Sequence, residues 1–423
     1  MEGTARQDWS STLPKGHNSY FYPSANTSLV LTDAFPGLKN RWLSYLKLRG
    51  AVAQVGNDAP TYQLQSTYVG NSNKFNGMPQ FSFNDVLANA ALKPEITKSG
   101  EIGVEASFFN GRADLDASWY EKATRNQIFN VAVSPSTGFG SKSINAGRIF
   151  NHGVEALLTL IPVQLNNGFQ WTTTLNFSRN RSMVDQLYPG VSTIVLGSTW
   201  YTNVEARKGQ PYGALFGYAF ARDSATGQLL TDGGLTFTSG KKVLGNIQPD
   251  WLGGWNNQIS YKSITVSALV DAHVGGDIFS VTNYFGDYAG VLKRTLNGRQ
   301  ADWNNPGIVV KGIDVNTGKP NTVTVTSEEY YQNIFPVNEP YIYKDTYFKL
   351  RQIRVGLDLP ERWARRFNAS GVNVALVGTN LHTWTNVPNI DPEFAYSTGN
   401  TQGIEYASIP SPTSWGINVR IVP

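Results

Sequence analysis

Cysteine is absent from the 423 residues, which excludes disulfide frameworks, thiolate zinc sites and cysteine nucleophiles. Charge is scarce: 16% of residues are Asp, Glu, Lys or Arg, and the formal net charge of +4 is scattered, with no basic run interleaved with stacking aromatics. Nucleic-acid binding is therefore set aside. Long apolar runs are missing too. The densest, 154–163, is about half of the roughly 18 residues that a membrane helix needs, so a helical membrane protein is excluded. Met1-Glu2-Gly3-Thr4-Ala5-Arg6-Gln7-Asp8 has no basic start leading into an apolar core, and no secretion signal is visible. His17, His152, His273 and His382 lie on different segments and make no HxH, HExxH or i,i+4 metal pair. No G-x-S-x-G elbow, P-loop or dinucleotide fingerprint occurs, and Asp314-Val315-Asn316-Thr317-Gly318 lacks the terminal Glu of a calcium loop and reads as a turn. These absences argue against an enzyme, a bound cofactor and a metal site.

What is abundant is alternation. In 101–108, Ile102, Val104, Ala106 and Phe108 fall on one face, opposed by Glu101, Glu105 and Ser107. Ala113, Leu115, Ala117 and Trp119 repeat the rule against Asp114, Asp116, Ser118 and Tyr120, and Asn110-Gly111 between the two runs is a strong hairpin signal. Period-two patterning gives each strand one greasy and one wet surface. Strands are expected at 20–31, 45–55, 98–109, 112–123, 147–162, 169–180, 212–222, 251–261, 264–274, 346–359, 372–381 and 415–422. Most exceed the five or six residues usual in globular proteins and match the roughly nine to eleven of a tilted bilayer-crossing strand.

Connectors divide into short (110–111, 165–168, 262–263, 361–370) and long (124–146, 181–210, 275–345, 382–413), the pattern of an outer-membrane barrel with long loops outside. The expected fold is all-β, an antiparallel transmembrane β-barrel with long extracellular loops. In 346–359 the apolar phase slips between Leu350 and Ile353, so a β-bulge is expected near Arg351-Gln352. Trp119, Tyr120, Trp171, Trp251, Trp255, Tyr261, Tyr343 and Tyr347 near strand ends suit interfacial girdles. Glu101, Glu105, Asp114 and Asp116 read as polar lining of the interior rather than as an acid/base pair.

A series of phrases in one order resembles the C-terminal part of SusC/RagA-type TonB-dependent outer-membrane transporters. They are Arg6-x-Asp8 with Ser10-Ser11, Phe21-Tyr22-Pro23-Ser24, Leu46-Lys47-Leu48-Arg49, Leu92-Lys93-Pro94-Glu95-Ile96-Thr97, and Asn145-Ala146-Gly147 running to Asn151-His152-Gly153-Val154-Glu155. Gln248-Pro249 before Gly253-Gly254, Tyr347-Phe348-Lys349-Leu350-Arg351, and Gly378-x-Asn380-Leu381 with Asp391-Pro392-Glu393 complete them. The resemblance implies that 1–423 holds the C-terminal part of the receptor barrel, about 12 strands of the 22-strand class, without signal peptide, N-terminal domain, TonB box, plug or first strands. It also implies a bacterial outer-membrane location among outer-membrane lipid, a SusD-like surface lipoprotein over the external opening, coupling to the TonB complex through the plug, and import of an oligosaccharide or peptide. Two features depart from the family. The chain ends in Pro423 rather than an aromatic, and Asp232-Gly233-Gly234 precedes Lys241 where the family's acidic loop carries a carboxylate, so no calcium is expected there.

Trp200, Tyr201, Tyr284, Phe285, Trp303 and Trp384 are the substrate-contact candidates, since aromatic faces beside amides and carboxylates suit sugars and peptides. Packing of the loops against each other is the competing reading of the same aromatics. Two other classes remain open at this point: a soluble or surface β-sandwich that binds glycans, and a small autonomous porin closed from these strands.

Overall fold

Alternating side chains become sidedness only when neighbouring strands pair in register. In the computed structural model, which describes residues 1–299, 307–395, 399 and 401–422, they do so along one antiparallel path of twelve long strands. In chain order these are β1 (Glu2–Trp9), β2 (Ser19–Val30), β3 (Leu43–Asn57), β4 (Glu95–Phe108), β5 (Ala113–Ala132) and β6 (Ser141–Gln164). There follow β7 (Phe169–Leu187), β8 (Trp251–Tyr261), β9 (Ile264–Val274), β10 (Tyr347–Asp358), β11 (Gly371–Thr385) and β12 (Ser414–Val422). Each pairs with the next, and β1 and β12 are the two edges.

Directly paired residues of an antiparallel ladder point to the same side. One rung therefore shows the apolar face whole: Leu29, Leu48, Val104, Ala117, Ala156, Phe177, Gly253, Ala272, Phe348 and Trp384 are joined in pairs from β2 to β11. A second, Ile259, Val266, Val355, Leu376 and Ile417, crosses β8 to β12. Leu48, Phe177, Val355, Leu376 and Ile417 are exposed. A sandwich would bury such side chains against a second layer, so the sandwich reading is excluded, and hydrocarbon is the solvent that suits them. The described residues form an open portion of barrel wall, since the edge strands are not paired with each other, and not a porin closed by itself.

The connections at one end are short. Lys262 and Ser263 alone join β8 to β9, with Lys262 left-handed, and β4 turns into β5 through Phe109, Asn110 and Gly111, all at positive φ. The other end carries the longer segments 58–94, 188–250, 275–346 and 386–413.

Two expectations need correction. The segment 212–222 is not a wall strand: its core, Ala214–Phe220, lies in a separate four-stranded sheet with both faces largely buried. The segment 124–146 is not a loop, because β5 and β6 run on beyond the bilayer-length stretch and leave only 133–140 as connector. The strand missing from the sequence reading is β1, whose Glu2, Arg6, Gln7 and Asp8 give no apolar stripe. The expected bulge is present: Val270 pairs Leu350 and Leu269 pairs Gln352, leaving Arg351 as the extra residue.

The girdle splits by parity. Trp119, Trp171, Trp251, Trp255 and Tyr261 share the outward rungs, with Trp171 Nε1 donating to Asn257 at 3.1 Å and Trp255 Nε1 to Thr173 at 2.8 Å. Tyr120 and Tyr347 lie on the opposite parity and face inward, Tyr343 belongs to a short strand of the long segments, and none of the three is a girdle residue.

Candidate functional site

The inward face is laced with ion pairs. Arg49 on β3 reaches Asp116 on β5 at 2.7 Å and Glu105 on β4 at 3.0 Å, and Lys47 meets Glu105 at 3.0 Å. Gly103 makes that reach possible, since a Cβ there would lie 2.5 Å from Arg49 Nε. Glu101 and Asp116 thus face cations, as structural lining.

A second network is deeper. Lys349 on β10 is 1% exposed and donates to Asp391 at 3.0 Å, Glu393 at 2.6 Å and Ser411 Oγ at 2.6 Å. The bulged Arg351 pairs with both Asp271 on β9 and Glu393. Burial resists ionisation of Asp391 and Glu393, but hydrogen bonds from Ser411 and Lys349 to the first, and from Arg351 and Lys349 to the second, outweigh it. Both stay below the usual carboxylate range. The segment 386–413 is therefore pinned to the inner wall. Both halves of this lock were visible in the sequence as separate phrases, and their opposite charges were the signal that they belong together.

Above the wall three of these segments, 188–250, 275–346 and 386–413, build one head. Its core joins Val204, Leu215 and Phe220, then Phe279, Val281, Tyr284, Tyr331, Ile334, Val337 and Tyr341, then Ile404. Polar welds tie the pieces. Glu405, 1% exposed, accepts from Ser280 Oγ at 2.8 Å and from Thr282 Oγ1 at 2.7 Å. Buried Asn338 donates to the Trp200 carbonyl at 2.9 Å and accepts from the Tyr218 N–H at 2.9 Å. Asp345, where β10 enters the head, has its carboxyl pushed up to about 7, by burial first and by Asp277 second.

The candidates from the sequence separate in this frame. Trp200 and Tyr201 form the two-residue tip of the hairpin Thr193–Thr199 and Thr202–Arg207, 41% and 52% exposed. Phe285 stands edge-on to Trp200 with centroids 4.6 Å apart, and Tyr406 accepts from Trp200 Nε1 at 3.3 Å. Tyr284 is fully buried among Phe279, Phe335 and Tyr341, a core ring beneath the surface cluster. Trp384 sits on the outward rung beside Phe348, which places it on the lipid side. Trp303 lies outside the described residues. Tyr406 and Asn338 were missed, since nothing local in the sequence ties them to a hairpin 206 and 138 residues away.

The tip is strained. Trp200 and Tyr201 have φ of 42° and 70°, the left-handed conformation that Asn-Gly takes readily and bulky residues adopt at a cost of about 1–3 kcal/mol each.

Comparison with known proteins adds the following. The sequence family described as TonB dependent receptor-like, beta-barrel, matches residues 2–374. TonB-dependent receptor P3 of Formosa agariphila is 25% identical, over 99% of this chain and 43% of the relative. TonB-dependent receptor SusC of Bacteroides thetaiotaomicron is 25% identical over 44% of this chain and 19% of its own length. A structure of the RagAB peptide transporter superposes with a TM-score of 0.76 at 19% identity, covering 99% of this chain and 45% of that one, a likeness of fold. This chain spans less than half the length of these relatives.

Proposed function

Since the chain belongs to the TonB-dependent receptor β-barrel family, we propose that it supplies the C-terminal wall and outer loops of a SusC-type nutrient importer. The family is one of outer-membrane receptors rather than enzymes, and the outer membrane is where this wall resides. The observation that carries the reading is the apolar rung running unbroken from β2 to β11, backed on the inner side by ion pairs.

In this proposal the rest of the barrel and a plug come from further sequence of a longer receptor, the TonB complex acts on that plug, and a SusD-like lipoprotein covers the head. An oligosaccharide or a peptide is the cargo. The exposed Trp200, Tyr201 and Tyr406, with half-buried Phe285 edge-on to Trp200, are the favoured contact surface. Aromatic faces bury the CH surface of a sugar ring or the side chain of a peptide, and neighbouring polar groups fix its orientation.

The test is disruption of the gene, followed by growth on single oligosaccharides and on peptide mixtures as sole nutrient. Loss of growth on one of these nutrients, restored by the intact gene, is the expected result. Unchanged growth on all of them, together with a chain that fractionates away from the outer membrane, overturns the reading.

A further inference from the structure

The inner wall matches each of the cations Lys47, Arg49, Lys349 and Arg351 to a carboxylate. The outer face is less matched: Arg179 on β7 faces outward with no ion pair among the described residues, and cations gather at the top of β4, β5 and β6. Lys98 on β4 has the same parity as Ile102 and Val104 and so faces outward. Arg125 on β5 pairs with Ile96 on that same side, and Arg148 on β6 pairs directly with Arg125. Like charges directly opposite each other in a ladder are destabilising, so folding alone gives no reason for the pair. Arg148 Nε stands 3.4 Å from Asp185, whereas Lys98 and Arg125 make no ion pair among the described residues. All three side chains are exposed.

Register shifts crowd this level, at Arg125/Gln127 and Gln127/Ile128 on β5 and at Val184/Gln186 on β7. Bulges of this kind bend a rim and re-aim its side chains. They open a cleft of about 480 Å³ framed by Lys98, Arg125, Asn126, Asn145, Arg148 and Tyr188. The patch is bounded: across from Lys98 on β3 stands the uncharged Gln54, and one outward step below Ala123 on β5 stands Glu121.

Height identifies the occupant. Lys98 is ten residues above Phe108, where β4 ends at its short turn. Ten residues at about 3.4 Å each and a tilt near 45° rise about 25 Å, the thickness of the apolar band of an outer-membrane barrel. The cleft therefore lies at the level of the outer-leaflet headgroups.

We propose that the outward cleft at the top of β4, β5 and β6, framed by Lys98, Arg125 and Arg148, holds the phosphorylated headgroup of an outer-leaflet lipid. The proposal rests on the reading of this wall as part of an outer-membrane barrel. Guanidinium groups take phosphate oxygens in bidentate fashion, and Lys98 adds a point charge at the lower rim.

The test uses the receptor extracted from its membrane and exchanged into detergent, with native mass spectrometry counting bound bis-phosphorylated lipid A or the same lipid stripped of phosphate. Each basic side chain beside an anionic lipid is worth roughly a fivefold change in affinity. The K98Q/R125Q/R148Q variant is expected to bind the phosphorylated lipid on the order of 100-fold more weakly than the wild type, and K98R/R125K/R148K to keep most of the binding. Wild-type protein that holds the phosphate-free lipid equally well overturns the proposal, and this arm decides even where the triple variant fails to fold. Equal binding by a folded triple variant also overturns it, as does complete displacement by inorganic phosphate at equal concentration, which assigns the cleft to a free anion. Heat-modifiable gel migration of the wild type reports on the barrel separately. Its absence refutes the membrane reading, whereas normal migration without lipid preference refutes the headgroup site alone.

Discussion

The wall and the head are built on opposite plans. In the wall every strand pairs with the next in the chain, and its apolar side chains stay exposed on one side for a solvent that is itself apolar. In the head, core and welds join residues far apart, such as Asn338 to Trp200 across 138 positions and Glu405 to Ser280 across 125. Much of the wall's buried apolar packing is at its top, where Phe129, Ala146, Ile149 and Val184 meet Ile194 and Ala206. The head has a water-excluding core of its own.

The largest effect that divides them is expected from Tyr341→Ala, which removes a fully buried ring packed on Tyr284. The loss is about 3–5 kcal/mol, confined to the head. Hydrogen exchange checks it: amides of 275–346 lose protection while β4 to β6 keep theirs. Wall amides that open in step would show that the two regions are one cooperative unit.

Lys349→Met addresses the joint between them. Removing one partner of a buried pair leaves its counter-charge stranded, and here the cost is about 3 kcal/mol, at the low end of that class because Arg351 still holds Glu393. Segment 386–413 becomes cleavable by added protease under conditions where the wild type resists. Asp391 and Glu393 titrate below their ordinary values, so the lock is complete above the unfolded carboxylate pKa of about 4 and is lost as pH falls through the lowered folded values. Wild-type cleavage is expected to begin only in that acid range.

The same division explains what the sequence disclosed. Period-two alternation placed eleven of the twelve wall strands, and the phase slip at Arg351 located the bulge. The misplaced strand at 212–222 was correctable from sequence: it set two long connectors in succession and broke the short-long alternation. Parity had also settled that Trp119 and Tyr120, adjacent in one strand, face opposite sides. Tyr284 and Phe285 were not separable in that way. Whether an aromatic in a long loop lies in a core or on a surface depends on partners from other loops, and no local period records them.

Asp345 sharpens the boundary with a smaller, pH-dependent effect. Its folded pKa of about 7 is raised above the ordinary 3.8, so its contribution is fully present below pH 3.8 and is lost as pH rises through about 7. Asp345→Asn therefore stabilises the head more at pH 8 than at pH 5, by a difference on the order of 2 kcal/mol. Thermal unfolding at the two pH values measures it, and an equal gain at both would show that the carboxyl is not buried as it stands here.

The smallest effect has the opposite sign and separates folding from binding within the head. Replacing Trp200-Tyr201 by Asn-Gly gives the hairpin tip the residues its left-handed turn favours, and with the lost packing of Trp200 on Phe285 set against the strain relieved, the net gain is about 1–2 kcal/mol. Exchange in 193–207 should slow. The exposed indole that packs edge-on to Phe285 is lost at the same time, so on the proposed function uptake of the cargo should fall while the head grows more stable. Strain of this kind is held by the surrounding structure and clusters at ligand clamps and active sites, which is the reason to look for a ligand here. A variant that is both more stable and fully competent in uptake would remove that reason, and would return the Trp200 cluster to packing alone.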